Sequence, residues 1–543
     1  MSHPNPPWIV YKMRGKDAPL SARARASGND AFRQAQWESA AHFYTDAICL
    51  APLESAELGA AYGNRSAALF ELAQWRACID DISCALALPA VSPGAHEKLL
   101  RRRDACKKDS FDSQDDALSP EAVSSNIATR ITADEGRFLV AGDAGFQSNV
   151  VLVDNERPLA CVANEGAHVC WSCLSSPLCL IPCDRCRHAR FCSVACRAAS
   201  AYHESTDCAS APPLSPRLRL AARLLFEFPS VDWSASVTLS HDAHELRGSA
   251  AAAALARTSR TDPDVAPVAA YLRASLPDYE RDISAQLLGA LQRVDANAFA
   301  VRHRRSRSRG ALESAEDVAV GIATYALSSL FNHACAPNCA ATFTGGCISV
   351  RTTRRVVGGD ALTVSYGPLA SREPTDARKA ALSDRYGFSC RCAACAANAP
   401  ASALLLRCPR GCSGAVRPPA ERHAAIACAS CGGELDASVA QVLRDGRAHT
   451  RGAQQALQKG NTEGALAEAR AGVALLAAVL HPSCLAMGEA YDIMAQCFVE
   501  KGSFREAADA VEKSIIAAVE AFGEGSLEVE AERAKLHSIT VHL

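Results

Sequence analysis

Cysteine is the first chemistry-bearing residue to stand out, because 25 of the 543 positions carry it and most fall in close pairs. The stretch "VCWSC…CDRCRHARFCSVACRAASAYHESTDC" offers Cys170/Cys173, Cys183/Cys186, Cys192/Cys196 and His203/Cys208. A gap of two or three residues lets two thiolates face one ion, so eight ligands in four pairs suit two tetrahedral zinc ions. "FSCRCAAC" adds Cys390, Cys392 and Cys395, three thiolates that lack a fourth. The segment "SSLFNHACAPNC" can supply it through Cys335, and there an apolar run stops at Asn332 and His333, polar neighbours that a core element would have to satisfy. "CPRGC…CASC" gives Cys408, Cys412, Cys428 and Cys431, again at zinc-knuckle spacing.

Composition narrows the setting. The 57 Lys+Arg nearly balance 59 Asp+Glu, so the chain as a whole gives no ground for sequence-independent binding to nucleic acid or anionic membrane. Half the residues are apolar, which fits packed domains, and the length calls for two to four of them. "MSHPNPPWIVYKMRGKD" has no apolar core of signal-peptide length, and "AGVALLAAVL" from Ala471 is half of a bilayer span. A soluble chain of the nucleus and cytoplasm is expected, with direct nucleic-acid contact unlooked for. In a reducing compartment its cysteines point to metal and not to disulfides.

The elements that must position these groups alternate in kind. Helical spacing runs through "SGNDAFRQAQWESAAHFYTDAICLAP" and again through "AYGNRSAALFELAQWRACIDDISCALAL", a thirty-odd-residue period that resembles the helix-turn-helix TPR repeat, with "HEKLLRRRDACKKD" as a capping helix. A polar linker, "SFDSQDDALSPEAVSSN", follows. Two or three short strands are expected in "GRFLVAGDAGFQSNVVLVDNERPLACV", helices over roughly 214–300, and a basic loop at "RHRRSRSRG". "CISVRTTRRVVGGDALTVSYG" reads as strands, and the last hundred residues as amphipathic helices like the first.

Two resemblances organise these pieces. The cysteine-rich stretch is similar to the cross-braced MYND finger, which implies Cys170, Cys173, Cys192 and Cys196 on one zinc and Cys183, Cys186, His203 and Cys208 on the other. Its last pair is His-x4-Cys where the family usually has His-x3-Cys, and Cys179 fits no pair. Asn-His-x-Cys-x-Pro-Asn, a later "SYG" and Tyr-x-Phe-x-Cys-x-Cys-x-x-Cys together resemble the SET domain of protein lysine methyltransferases. In that order, the chain resembles the TPR-bearing branch of the SET-and-MYND family along nearly its whole length.

The resemblance implies a multidomain α+β chain: 1–115 TPR helices, 126–169 the N-terminal part of SET, 170–208 the MYND finger, 209–300 a helical insert, 301–388 the catalytic SET core, 389–440 a post-SET zinc region and 441–543 TPR-like helices. It further implies S-adenosylmethionine as methyl donor and a lysine of a histone or other protein as acceptor. Asn332, His333, Glu135, Gly136, Arg137 and Asn297 would meet the cofactor, Tyr366 would be the catalytic tyrosine, and Tyr386 and Phe388 would wall the lysine channel, with Tyr366 and Phe388 also touching the cofactor. Two positions depart from the pattern, Phe138 for a second turn glycine and Ala334 for serine.

Aromatic walls suit this chemistry, since they exclude water, favour the neutral amine by desolvation and still attract the incoming cation. The competing class is a catalytically weak or inactive adaptor whose finger takes proline-rich peptides; a nucleic-acid-binding zinc protein, resting on "RHRRSRSR", ranks below both. Such TPR units also bind acidic C-terminal tails of heat-shock chaperones through a carboxylate clamp, for which Arg25, Asn29, Asn64, Lys98 and Arg102 match in order.

Overall fold

A repeated hexapeptide builds the first helices. "FRQAQW" (Phe32–Trp37) and "FELAQW" (Phe70–Trp75) each end one helix and begin the next. In both, the alanine turns the chain with positive φ, 56° at Ala35 and 54° at Ala73, and the phenylalanine meets the tryptophan edge to face, at 4.7 and 5.3 Å. The computed structural model describes residues 16–88, 92–109, 122–132, 136–208, 214–235, 262–275, 281–309, 312–397, 405–412, 415–416, 428, 430–434 and 438–543. Its N-terminal helices are α1 (Ala18–Arg33), α2 (Trp37–Leu50), α3 (Ala56–Glu71), α4 (Trp75–Leu86) and α5 (Pro93–Asp109). Each packs on the next, and α3 also touches α1 and α5. The Tyr44 ring of α2 lies against Gly28 of α1, where an added Cβ would come within 2.5 Å of the ring, so a larger residue there would have to displace it.

The middle of the chain folds as small sheets. Ala122–Val123, Val151–Glu156, Cys347–Thr352 and Cys339–Thr344 form a four-stranded sheet in that order. It starts at Ala122, inside the stretch read as linker, whose earlier residues lie outside the described ones. Ile127–Thr132 pairs with Gly136–Ala141, and Ala160–Ala163 joins Leu312–Thr324 and Phe299–Arg309. The basic run expected as a loop is therefore largely strand: Phe299–Arg309 pairs antiparallel with Leu312–Thr324, placing Arg304 opposite Asp317. Alternating Arg and Ser has the period of a strand, and the facing acidic residue favours the pairing. Helices Pro216–Glu227, Val265–Ser275 and Ile283–Asn297 bury Leu220, Leu224, Trp233, Leu272, Leu287 and Leu291 in a second core, as the apolar spacing over 214–300 predicts.

Five further helices, Val439–Gln458, Thr462–Val479, Leu485–Glu500, Phe504–Phe522 and Leu527–Thr540, stack in sequence. Their loop at Gly523–Ser526 lies on the central sheet: Gly525 N–H donates to the Thr353 carbonyl, and a Cβ on Gly523 would strike that oxygen at 2.6 Å. None of the described helices is long and apolar enough to cross a membrane.

The N-terminal helices are bolted to the cysteine-rich segment by a buried charge. Arg65 of α3 is 1% exposed. It grips Asp81 of α4 through two 2.7 Å bonds and donates to Thr45 of α2 and to the Leu180 carbonyl. Cys179, outside both metal sets, lies 3.3 Å from the same guanidinium, and Arg190 reaches back to Asp46 at 3.0 Å. Removing one partner of such a pair strands the other charge in a low dielectric. Arg65→Met is expected to cost about 3–5 kcal/mol in urea unfolding, while Arg65→Met with Asp81→Leu recovers most of it.

Candidate active site

All four cysteine sets converge. Cys170/Cys173/Cys192/Cys196, Cys183/Cys186/His203/Cys208, Cys335/Cys390/Cys392/Cys395 and Cys408/Cys412/Cys428/Cys431 each bring their ligand atoms within 4.8 Å of one another. A tetrahedron with Zn–S arms of about 2.3 Å has edges of about 3.8 Å. Observed Sγ–Sγ separations are 3.5 Å for Cys173–Cys192, 3.8 Å for Cys183–Cys208, 3.5 and 3.9 Å from Cys335 to Cys395 and Cys390, and 3.3 Å for Cys408–Cys431. Too long for disulfides and close to the tetrahedral edge, these sets fit zinc. Thiol donors favour ionisation: Cys170 holds Cys173, and Cys186 holds Cys183, far below the ordinary thiol range. The extra residue of His-x4-Cys is absorbed by a π-helical turn at His203–Asp207, a form that accommodates one added residue. His203 Nε2 then lies 3.6 Å from Cys186 Sγ.

The opening segment is held by a crossing of chain. Asn332–His333 pairs in parallel with Thr363–Val364, while Asn338 accepts from the Thr363 N–H and donates to the Ala361 carbonyl, both at 2.8 Å. Upstream, the buried carboxylate of Glu156 accepts from the N–H groups of Leu327 and Ser328 at 2.7 and 2.9 Å and from the Ser328 hydroxyl. Leu139, on the strand that begins at Gly136, accepts from Leu362 N–H, so Gly136 and Arg137 join the same assembly. Sequence reasoning passed over Glu156 and Asn338. Asn338 does stand in the Pro-Asn turn, but Glu156 ends an ordinary strand and carries no local signal.

Tyr366 is fixed at three points. Its N–H donates to His333 Nδ1 at 3.0 Å, its hydroxyl to the Phe331 carbonyl at 2.9 Å, and its own carbonyl accepts from the Tyr386 hydroxyl at 3.2 Å. Since Nδ1 accepts, the His333 proton sits on Nε2, 3.3 Å from Cys335 Sγ. Burial, with Arg378 second, pushes the His333 ring down to about 4, so it is neutral at pH 7. Burial likewise raises the Tyr366 and Tyr386 hydroxyls above their usual value, keeping both protonated. Tyr366, Tyr386 and Phe388 form an aromatic corner with centroids 5.1–6.5 Å apart, and His333 adjoins it.

On one side of Tyr366 opens a cleft of about 680 Å³ between the sheets and the last helices, which Asn297, Tyr386 and Leu405 also line. Asn297 donates to the Arg293 carbonyl. Half-buried Asn332, His333 and Arg137 belong to the strands bonded around Leu139 and Val364, and Phe388 is 36% exposed. Gly136 has a φ of +65° and nothing within 4 Å of an added Cβ. Burial depresses the Arg137 guanidinium, so an anionic group placed against it is stabilised. The carboxylate of an amino-acid-bearing cofactor such as S-adenosylmethionine would suit that position. Glu135 lies outside the described residues.

Removing a metal ligand should disturb this region first. Purified without chelator, the protein is expected to hold four zinc ions per chain by metal analysis. Cys335→Ser should release one of them and weaken S-adenosylmethionine binding at least tenfold by calorimetry, because the same short segment carries Asn332 and His333.

Residues 222–367 match the SET domain family model. The chain is 23% identical to the zebrafish (Danio rerio) protein "Protein-lysine N-methyltransferase SMYD4", over 97% of this chain and 86% of that protein. It is 22% identical to the mouse (Mus musculus) protein of the same name, with the same coverage. Mouse "Histone-lysine N-methyltransferase SMYD3" is 26% identical over 45% of this chain and 56% of its own length. The matched SET segment holds the crossing at Asn332–His333, the double-centre cysteine finger precedes it, and the similarity to the first two relatives spans nearly the full chain. On these grounds the chain holds a SET domain and is similar, along nearly its whole length, to proteins of the SET and MYND domain-containing family.

Proposed function

We propose that this chain is a protein-lysine N-methyltransferase that takes its methyl group from S-adenosylmethionine. The observation that carries the reading is Tyr366, pinned through backbone and hydroxyl at the end of the cleft beside an aromatic corner. Arg137, Asn332, His333 and Phe388 would hold the cofactor, which when bound supplies an electrophilic methyl group on a sulfonium.

The chain's own residues do the rest by placement. Tyr366, Tyr386 and Phe388 would exclude water from the lysine amine and attract it through their ring faces while it is still a cation. Desolvation lowers the ammonium pKa, so the proton leaves to solvent as the chain enters the channel. His333 is not the acceptor, because Nδ1 is spent on Tyr366 and Nε2 carries hydrogen toward Cys335. The Tyr366 hydroxyl donates to Phe331 and keeps a lone pair for an amine N–H, which aims the nitrogen. Among the described residues no feature of this site favours the inactive adaptor, since Tyr366, Tyr386, Phe388, Asn332, His333 and Arg137 are all present.

Labelled S-adenosylmethionine with nuclear and cytosolic extracts tests the reading directly. Tyr366→Phe is expected to lower transfer about 10²–10³-fold, the usual effect of deleting one orienting hydrogen-bonding group, while cofactor affinity is kept. Unchanged turnover in that variant would remove Tyr366 from the chemistry.

The N-terminal helices support a partner reading as well: a site for an acidic chaperone tail. Asn64 of α3 donates to Asn29 of α1 at 2.8 Å, and the Tyr44 hydroxyl donates to the same oxygen. Arg102 of α5 bonds the Gly63 carbonyl and Ser66, beside Asn64, and Lys98 is exposed one turn earlier. A tail peptide ending in a free carboxylate is expected to bind in the micromolar range, about −8 kcal/mol. In fluorescence anisotropy Lys98→Ala should weaken it several-fold and amidation of the terminus more; equal binding by the amidated peptide defeats the clamp.

A further inference from the structure

The cleft beside Tyr366 carries a charge that the placement of the amine does not use. Its charged lining residues are Arg302, Arg354, Arg372, Arg385, Glu520 and Glu528. Arg372 faces Glu528 at 3.9 Å and lies over the Phe522 ring, so that pair is close to neutral. Arg385 sits over the Tyr386 ring, 5.3 Å from its centre, at the aromatic corner itself. Arg302 and Arg354 are exposed, and among the described residues neither guanidinium forms a hydrogen bond or an ion pair. Arg302 and Arg354 thus stand against Glu520, an excess of one positive charge in a chain whose formal net charge is −2.

These residues come from separate elements. Arg302 lies on the strand Phe299–Arg309, Arg354 just past the strand Cys347–Thr352, Arg385 at the end of the helix Thr375–Tyr386, and Glu520 on the helix Phe504–Phe522. Their meeting is a product of the tertiary fold, and the field inside a cleft with low-dielectric walls is stronger than the same charges would make on open surface.

We propose that Arg302 and Arg354 select protein substrates whose target lysine is flanked by Asp or Glu. The assignment rests on the methyltransferase reading and names its substrate class. A flanking carboxylate accepts charge-assisted hydrogen bonds from a guanidinium, and the match of signs raises the encounter rate. A lysine set among further lysines and arginines would meet repulsion from the same two residues.

The test uses the full-length chain and three peptides alike except for flanking Asp, Asn or Arg around one lysine. Fluorescence anisotropy reads binding without turnover, and transfer of labelled methyl reads kcat and KM. The Asp peptide is expected to bind about tenfold more tightly than the Asn peptide, the sum of a few partly exposed pairs, with the preference shrinking as salt rises. Arg302→Gln with Arg354→Gln should reduce the preference to about twofold through KM, and Arg302→Glu with Arg354→Glu should turn it toward the Arg peptide. Both residues are exposed, so circular dichroism should report an unchanged fold. Equal binding of the three peptides, or a preference that survives in both double variants, overturns the proposal. Should no peptide accept methyl while the Asp peptide binds best and loses that advantage in the variants, the methyltransferase reading fails and the charge selection stands.

Discussion

A neutral imidazole between a thiol cluster and a peptide N–H is the constraint on which this site depends. His333 can accept from Tyr366 N–H through Nδ1 only while its proton lies on Nε2, toward Cys335 Sγ. The cysteine set fixes Cys335, Cys335 fixes the ring, and the ring fixes the backbone of Tyr366. Each step is a hydrogen bond or a position in the cysteine set, so little slack accumulates between Cys335 and the hydroxyl. Bonds from Asn338 and Glu156 hold the two crossing strands from the other side. Positioning is the main contribution such a site can make to transferring a methyl group, since the methyl donor brings its own reactivity.

What could be read from the sequence divides by the range of the interaction. Cys192 and Cys196, or Cys408 and Cys412, meet because a few residues of chain force them together, and that signal survives without a structure. Cys335 with Cys390 was legible because three thiolates need a fourth. The aromatic corner of Tyr366, Tyr386 and Phe388 came from a family resemblance, since an isolated strand-end tyrosine carries no mark of its partners. The charges of the cleft had no signal, because Arg302, Arg354 and Glu520 are more than a hundred residues apart at the extremes and meet only through docking of the last helices. "RHRRSRSRG" went astray for a related reason: composition suggested a solvated loop, but its period of two and the acidic partner strand made it a strand.

The two helical ends attach to the centre by different physics. At the N-terminal end, Arg65 and Arg190 lend guanidinium donors to Asp81, Asp46 and the Leu180 carbonyl, a polar contact that demands exact geometry and sets orientation more than it adds stability. At the C-terminal end, Gly523 and Gly525 bring backbone against Thr352 and Thr353, and Arg351 pairs with Glu530. That second contact makes the far wall of the cleft.

The fourth cysteine set bears on that wall. Cys408 and Cys428 share a buried cluster with Leu405, Leu406, Leu476, Leu480 and Met487, and His481 N–H donates to the Leu405 carbonyl. This short irregular segment offers too little apolar surface to hold itself in place. A zinc ion, whose binding energy in such sites is itself folding energy, would give it a fixed shape on which Leu480 and Met487 can pack. Leu405 in turn lines the cleft. The Cys408 set is thus linked to the substrate side of the site by packing, as the Cys335 set is linked to the tyrosine itself by hydrogen bonds. Metal held by these two cysteine sets would do for both what a larger core would otherwise have to do.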